Sequence, residues 1–341
     1  MSGHLSMSAG LEFQYDNISR LELNSTSSRL RVRSIRDDAV DQTSIAGFID
    51  ADWKVNDHLR ANIGMRIDDF EADITANQIA NSGKASDRQI SPKLNIAYRL
   101  SETLEFYANV GRGMHSNDAR GAVISVDPNT DESAQSVPLL VPSTGREIGI
   151  RYEHGDALKF TATAFDIELD SELVFVGDAG STEANDGSVR RGLETTIFIN
   201  AGPKFQFDVA YTKTRGKYLN ALPRFNAIPG SIETTLAAGI NSRWNDKLTT
   251  SIRIRYLGGA PLLEDRTIQS GKPLLANAAA TLELGQTGIK LEVLNLLDSD
   301  DIDIAYYYES RLSGEQPEGV SDIHFHPLEP KSLRLTVERS F

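Results

Sequence analysis

Long stretches of this chain alternate apolar and polar residues with a period of two, which confines them to extended strands with two unlike faces. Leu59, Ala61, Ile63, Met65 and Ile67 fall on one side, and Arg60, Asn62, Gly64, Arg66 and Asp68 on the other. Leu104, Phe106, Ala108 and Val110 alternate with Glu105, Tyr107, Asn109 and Gly111. Leu248, Thr250, Ile252, Ile254 and Tyr256 alternate with Thr249, Ser251, Arg253 and Arg255. A helix would group apolar residues three and four apart, and no long segment does so.

Followed through all 341 residues, the pattern predicts about fourteen strands: 3–15, 43–55, 59–72, 89–100, 103–113, 144–154, 157–170, 191–201, 204–214, 230–244, 247–258, 274–285, 287–297 and 331–341. Most reach the ~9–11 residues that a tilted strand needs to cross a bilayer, well above the ~5–6 typical of globular strands. The connections alternate too. Short turns fall at Asn56–His58, Ser101–Thr103, Gly155–Asp156, Gly202–Pro203, Asn245–Asp246 and Gln286. Long loops are expected at 16–42, 73–88, 114–143, 171–190, 215–229, 259–273 and 298–330. Outer-membrane barrels pair short periplasmic turns with long extracellular loops; a soluble sandwich has no reason to.

Composition agrees. Mean hydropathy is -0.32, and no run approaches the ~20 apolar residues of a membrane helix. A barrel averages out this way because its lipid and lumen faces alternate. A net charge of -13 argues against nucleic acid as a partner, which calls for a basic stripe. With no cysteine, disulfide frameworks and thiolate metal sites are excluded. The start, MSGHLSMSAGLEF, has no basic segment followed by an apolar core, so an exported form is expected to need something upstream. Trp53 and Trp244, the only two tryptophans, precede short turns, and Tyr98, Tyr152, Phe160, Phe205 and Phe341 lie near the same end. That is the level of an interfacial aromatic girdle.

Several stretches resemble the C-terminal barrel of TonB-dependent outer-membrane receptors. They are ISPKLNIAYRL (Ile90–Leu100), GRGMHSNDARG (Gly111–Gly121), ELVFVGDAGSTEAN (Glu172–Asn185), RRGLETT (Arg190–Thr196), LEVLNLLDSDD (Leu291–Asp301) and DIHFHPLEPKSLRLTVERSF (Asp322–Phe341). The resemblance implies an all-β, antiparallel, up-and-down transmembrane barrel. Residues 1–341 would then be the C-terminal portion of a barrel of about twenty-two strands, with no plug domain. It implies a bacterial outer-membrane location, contact with outer-membrane lipid, an extracellular solute such as a siderophore, and an inner-membrane energy-coupling protein reached through an N-terminal region. Strands whose tilt and register suit a larger barrel are not expected to reclose, so the first and last should stay unpaired.

No enzyme is indicated: there is no G-x-S-x-G elbow, no phosphate loop and no outer-membrane phospholipase pattern, so no catalytic residues, cofactor or resident metal are expected. Candidate ligand contacts are placed by position, on the long loops a large solute meets first. They are His115, Asn117 and Arg120 in loop 114–143, and Tyr307, Arg311, His324 and His326 in the last loop, 298–330. Imidazole and guanidinium groups grip anions or metal chelates, and His324-x-His326 with nearby carboxylates has donors suited to transition metals. A hydrogen-bonded loop cluster next to Pro327 and Pro330 is the simpler reading of that pair. The acidic run Asp298–Asp303 lacks the register of a calcium loop. The last loop holds Asp298, Asp300, Asp301, Asp303, Glu309, Glu315, Glu318, Asp322 and Glu329 against Arg311 alone, a field that repels free anions. The leading function is energy-coupled solute uptake; a passive porin-like channel and a soluble all-β binding domain are the alternatives.

Overall fold

The computed structural model describes residues 4–176 and 181–340. Its strands are β1 (His4–Ser27), β2 (Leu30–Lys54), β3 (Leu59–Thr75), β4 (Gly83–Arg99), β5 (Leu104–Ser116), β6 (Leu140–His154), β7 (Leu158–Leu169), β8 (Glu172–Val176), β9 (Ser181–Asn185), β10 (Ser188–Ala201), β11 (Phe205–Tyr218), β12 (Thr234–Arg243), β13 (Leu248–Leu257), β14 (Leu274–Leu284), β15 (Thr287–Leu294), β16 (Ile302–Ser310), β17 (Val320–Pro327) and β18 (Ser332–Arg339). A 3-10 turn at Ile79–Asn81 and a short helix, α1 (Ala119–Val123), complete the list. Fourteen strands hydrogen-bond in the order β1-β2-β3-β4-β5-β6-β7-β10-β11-β12-β13-β14-β15-β18, while β8-β9 and β16-β17 are separate hairpins. These fourteen are the expected ones, and β1 and β18 are the two ends of the order.

The chain forms two compact units: Met1–Tyr98, Ala108–Arg146 and Ile167–Val189 in the first; Arg99–Tyr107, Glu147–Asp166 and Arg190–Phe341 in the second. In the first, register lines up Met7, Ala51, Ile63 and Leu94 across β1–β4, and beside them Ser6, Asp52, Asn62 and Asn95. The apolar row is the exposed one, with Ile63 53% accessible, whereas Asp68 on the opposite face is 2% accessible. A protein surrounded by water would bury those rows the other way round. Hydrocarbon on the apolar side removes the conflict. The polar face is knit by charge and amide pairs. Lys93 lies 2.5 Å from Asp50, Asn62 also donates to Asp50, and Asn95 donates to Asn62 at 2.8 Å. Gly64 leaves room for this: a Cβ there would sit 2.5 Å from Lys93 Cε and 2.6 Å from Asp50 Oδ2.

The second unit repeats the design. Phe207, Ile240, Ile252, Ala278, Val293 and Leu333 form one apolar row across β11–β15 and β18, with Leu333 74% accessible. The adjacent row reads Asp208, Gly239, Arg253 and Asn277. Arg253 Nη1 reaches over Gly239 to both oxygens of Asp208, at 2.5 and 2.6 Å. A Cβ on Gly239 would collide with that guanidinium. Near the short turns, Trp53, Tyr98 and Trp244 are exposed. Trp244 packs edge-on against Phe205 at 5.9 Å and donates its indole N–H to Thr250 at 2.9 Å. This is the amphipathic posture of an interfacial aromatic. Phe341 lies outside the described residues.

Several expected loops are strands in part. Residues 16–42 are no loop: β1 and β2 continue through them to a two-residue turn, Ser28–Arg29, with φ of 50° and 67°. These are the left-handed values of a hairpin turn of the primed type. Region 298–330 contains the β16-β17 hairpin, and 171–190 contains β8-β9, with 177–180 outside the described residues. Beyond the bilayer neither face of a strand meets lipid, so nothing imposes the apolar-polar alternation that reveals it within the membrane.

Candidate functional site

In the first unit, the segment 117–139 folds onto β2–β4 rather than reaching into solvent. Its apolar side is Ala119 and Leu139, clustered with Val40, Ala72 and Ile74, the only such buried cluster among the described residues. Its polar side is fastened at both ends. Asn117, buried, donates from its backbone to Leu139 O at 2.9 Å and from its side chain to Pro138 O at 2.6 Å. Asp118 caps α1, accepting from Arg120 N at 2.9 Å, and pairs with the Arg120 guanidinium at 2.7 Å. Arg120 also lies 3.9 Å from Asp38, which pairs with Arg36 at 3.5 Å. Arg36 Nε and Asp38 Oδ1 are buried without hydrogen-bond partners among the described residues. A residue the sequence reading did not single out, Asn81, holds the middle. Its amide donates to Val126 O at 2.8 Å, and its carbonyl accepts from Ser125 N and Val126 N at 2.9 and 3.0 Å.

Of the three residues expected to meet a solute here, the structure therefore gives two to the loop itself. Asn117 closes the segment, and Arg120 is held by carboxylates. His115, near the end of β5, is half-buried. Burial pushes the Asp118 carboxyl up, but the Arg120 hydrogen bonds and charge outweigh it and leave the group below its ordinary value. The same pairing raises Arg120. A lowered carboxyl stabilises the fold above the unfolded value of ~3.9, and that contribution is lost as pH falls through the lower folded value. Protease susceptibility of segment 117–139 should therefore stay flat from neutral pH to about 4 and rise below it. Asp118→Asn should raise it at neutral pH, and an unchanged rate would place the loop's anchorage elsewhere.

In the second unit, β16 and β17 pair antiparallel, with Tyr306 opposite His324 and Ile304 near His326. His324 and His326, two apart on one strand, share a face. Tyr307 faces the other way. The imidazole of His324 stacks on Tyr308, with centroids 3.8 Å apart and planes 14° apart, and its Nε2 lies 3.3 Å from Tyr308 O. Arg311, at the exposed tip, donates to Glu315 O at 3.4 Å. His326 borders a cavity lined also by Asp303, Glu329, Asn295 and Arg255. Among the described residues no three imidazole or carboxylate groups converge as a metal centre would require.

Sheets with lipid-facing apolar rows, polar opposite rows and an aromatic level at the short turns define a transmembrane β-barrel protein. The profile of the family described as TonB dependent receptor-like, beta-barrel matches residues 2–296, and the chain belongs to that family, whose members are receptors and transporters of the bacterial outer membrane. Its fold is similar to the ferric yersiniabactin uptake receptor FyuA from Yersinia pestis, with a TM-score of 0.76 and 16% identity over 99% of this chain and 51% of that one. It is also similar to the ferric citrate transporter FecA in its unliganded form, with a TM-score of 0.73 and 16% identity over 97% and 51%. A third is the ferric-catecholate import receptor Fiu from E. coli K12, with a TM-score of 0.72 and 16% identity over 99% and 52%. The chain thus spans about half the length of these solved structures. No curated protein matches the sequence.

Proposed function

We propose that this chain is the C-terminal barrel portion of a receptor that takes up a scarce solute, such as a siderophore or another large nutrient, across the outer membrane. The energy comes from an inner-membrane coupling protein. The observation that carries the reading is the inverted pair of faces: exposed Ile63 and Leu333 against buried Asp68, in a chain of the TonB-dependent receptor family. Tyr307, Arg311, His324 and His326 on the β16-β17 hairpin, with His115, are the proposed solute contacts. Asn117 and Arg120 act by holding segment 117–139 in place. The test is transport by cells carrying the full-length parent, offered labelled ferric chelates, cobalamin, oligosaccharides and peptides. Uptake of one probe should saturate and stop when a protonophore collapses the inner-membrane gradient. Uptake that stays linear with concentration and ignores the protonophore would make the protein a passive channel and overturn the proposal.

A further inference from the structure

Past Arg253 on β13, the sheet of the second unit and the two legs of the β16-β17 hairpin border a cavity of about 280 Å³. The sheet brings Arg255, two residues after Arg253 and so on the same polar face. The hairpin brings Asp303 from one leg, and His326 and Glu329 from the other end of β17. Leu275 and Leu328 add an apolar wall. The frame is fixed by Asn295, which is buried. Its amide donates to Ser299 O at 2.8 Å and to Glu329 O at 3.0 Å, and its carbonyl accepts from Ser299 N at 2.9 Å. Leu328 N donates to Asp301 O at 3.1 Å and closes the base of the hairpin.

Asp303 owes its aim to an irregularity in the ladder. Ile302 lies opposite Pro327 and Ile304 opposite His326, so Asp303 is one residue more than β17 can match. Such a bulge turns a side chain out of the strand's alternation, a device concentrated next to active sites. Here it brings the carboxylate to 3.8 Å from the Arg255 guanidinium. That separation is long for an ion pair, and both side chains are partly exposed, so the contact itself contributes little to stability. It leaves a guanidinium fork and a carboxylate side by side, with Glu329 as a second carboxylate. An anion alone would meet two carboxylates, and a cation alone would meet the guanidinium. A group with ammonium and carboxylate one carbon apart meets opposite charge at each end. Apolar walls with a few placed polar groups are the usual make-up of a small-ligand site, and such sites run from ~300 to 1,000 Å³. This one has room for a single head group and not for a large solute.

We infer that this cavity is a subsite for a zwitterionic α-amino acid head group displayed by a solute. Arg255 takes its carboxylate, Asp303 and Glu329 take its ammonium, and the two leucines cover the first methylenes of its stem. The inference rests on the proposed function in taking this hairpin as a solute contact, and it gives that contact a ligand class.

The test is fluorescence anisotropy on the purified full-length parent in detergent, with Nε-dansyl-lysine as the probe. It displays an intact α-ammonium and α-carboxylate on an apolar stem. Its binding should saturate and be displaced by excess leucine. Dansylcadaverine lacks only the carboxylate, and Nα-acetyl-Nε-dansyl-lysine lacks the ammonium charge. Each should bind about tenfold or more weakly, the loss of one charged hydrogen-bonded contact. Arg255→Gln should bring Nε-dansyl-lysine down to the level of dansylcadaverine on the unaltered protein. Asp303→Asn should weaken it as well, and Tyr306→Ala, on the hairpin but not bordering the cavity, should change nothing. Heat-modifiable migration checks that each variant is folded. Three results would each overturn the inference. One is dansylcadaverine binding as tightly as Nε-dansyl-lysine, which would reduce the site to an amine in an acidic field. The second is unchanged affinity in folded Arg255→Gln. The third is bound probe that leucine does not displace. Protonophore-sensitive uptake by cells carrying the same parent is measured separately. Uptake intact without leucine-displaceable binding ends this inference alone, and binding intact with unsaturable uptake ends the proposed function alone.

Discussion

Replacing Ile63 by Arg should cost about 2–4 kcal/mol of stability in a bilayer, and replacing its neighbour Asn62 by Arg should cost little. Ile63 is the fifth residue of β3 counted from the short turn. At ~3.3 Å per residue and a tilt of ~45°, that places it about 10 Å in, near the middle of an apolar band ~25 Å tall. Its side chain is exposed in a row with Met7, Ala51 and Leu94. A guanidinium there has only hydrocarbon to meet. Asn62 points to the other face, where its amide donates to Asp50 and, at 2.9 Å, to Asp52. An arginine at 62 exchanges those amide bonds for ion pairs with the same carboxylates. The measurement is guanidinium unfolding from lipid vesicles, comparing the two variants with the parent sequence. Equal losses would sink the assignment of faces.

The strands were legible wherever lipid touches one face. Ile63 and Asn62 sit where the alternation placed them, and so do Ile252 and Arg253. What could not be read lies beyond the bilayer. NISRLELNSTSSRLRVRSIRDD, residues 17–38, continues two strands with no lipid on either side: Arg20 faces Asp37 and Glu22 at the surface, while Ile35, Arg36 and Asp38 are buried, so apolar and polar residues do not alternate. Its turn, Ser28–Arg29, lacks the Asn-Gly that usually announces such a hairpin. The three tyrosines 306–308 read as one loop patch, whereas strand β16 divides them between two faces. The candidate site was legible as residue type and position, not as role. His324 and His326 share a face because their spacing in a strand requires it. The fold adds partners that a positional reading does not name: Asn117 donates to Pro138 O, 21 residues on, and Arg120 pairs with its neighbour Asp118 and lies 3.9 Å from the distant Asp38. Asn81, whose three bonds hold the segment's middle, has no local pattern at all.

Whole-cell proteolysis should cut the hairpin tip after Arg311 and spare Arg120, and a single change, Asn81→Ala, should open the second site. The contrast follows from where each backbone goes. Arg311 is exposed at the tip between β16 and β17, where its side chain donates to Glu315 O at 3.4 Å and further bonds of the turn join Leu312 and Glu315. Arg120 lies in α1, on a segment pressed to β2–β4 by Ala119 and Leu139 and tied down by Asn81. Truncating Asn81, itself buried, leaves Ser125 N, Val126 N and Val126 O without the partners they now have. A typical hydrogen bond contributes about 1 kcal/mol net, so losing the three should remove roughly 3 kcal/mol of the segment's attachment. Opening then becomes more than a hundredfold more frequent at about 1.4 kcal/mol per factor of ten, enough to bring trypsin to Arg120. The barrel strands should be untouched, because the loss is confined to one loop contact, and retained heat-modifiable migration in a denaturing gel would check that. The turns at Asn56–His58 and Asn245–Asp246 should resist until the outer membrane is permeabilised. Cleavage after Arg120 as readily as after Arg311 in the unaltered protein would show that segment 117–139 is free in the membrane. Cleavage at the short turns in intact cells would reverse the sidedness of every loop.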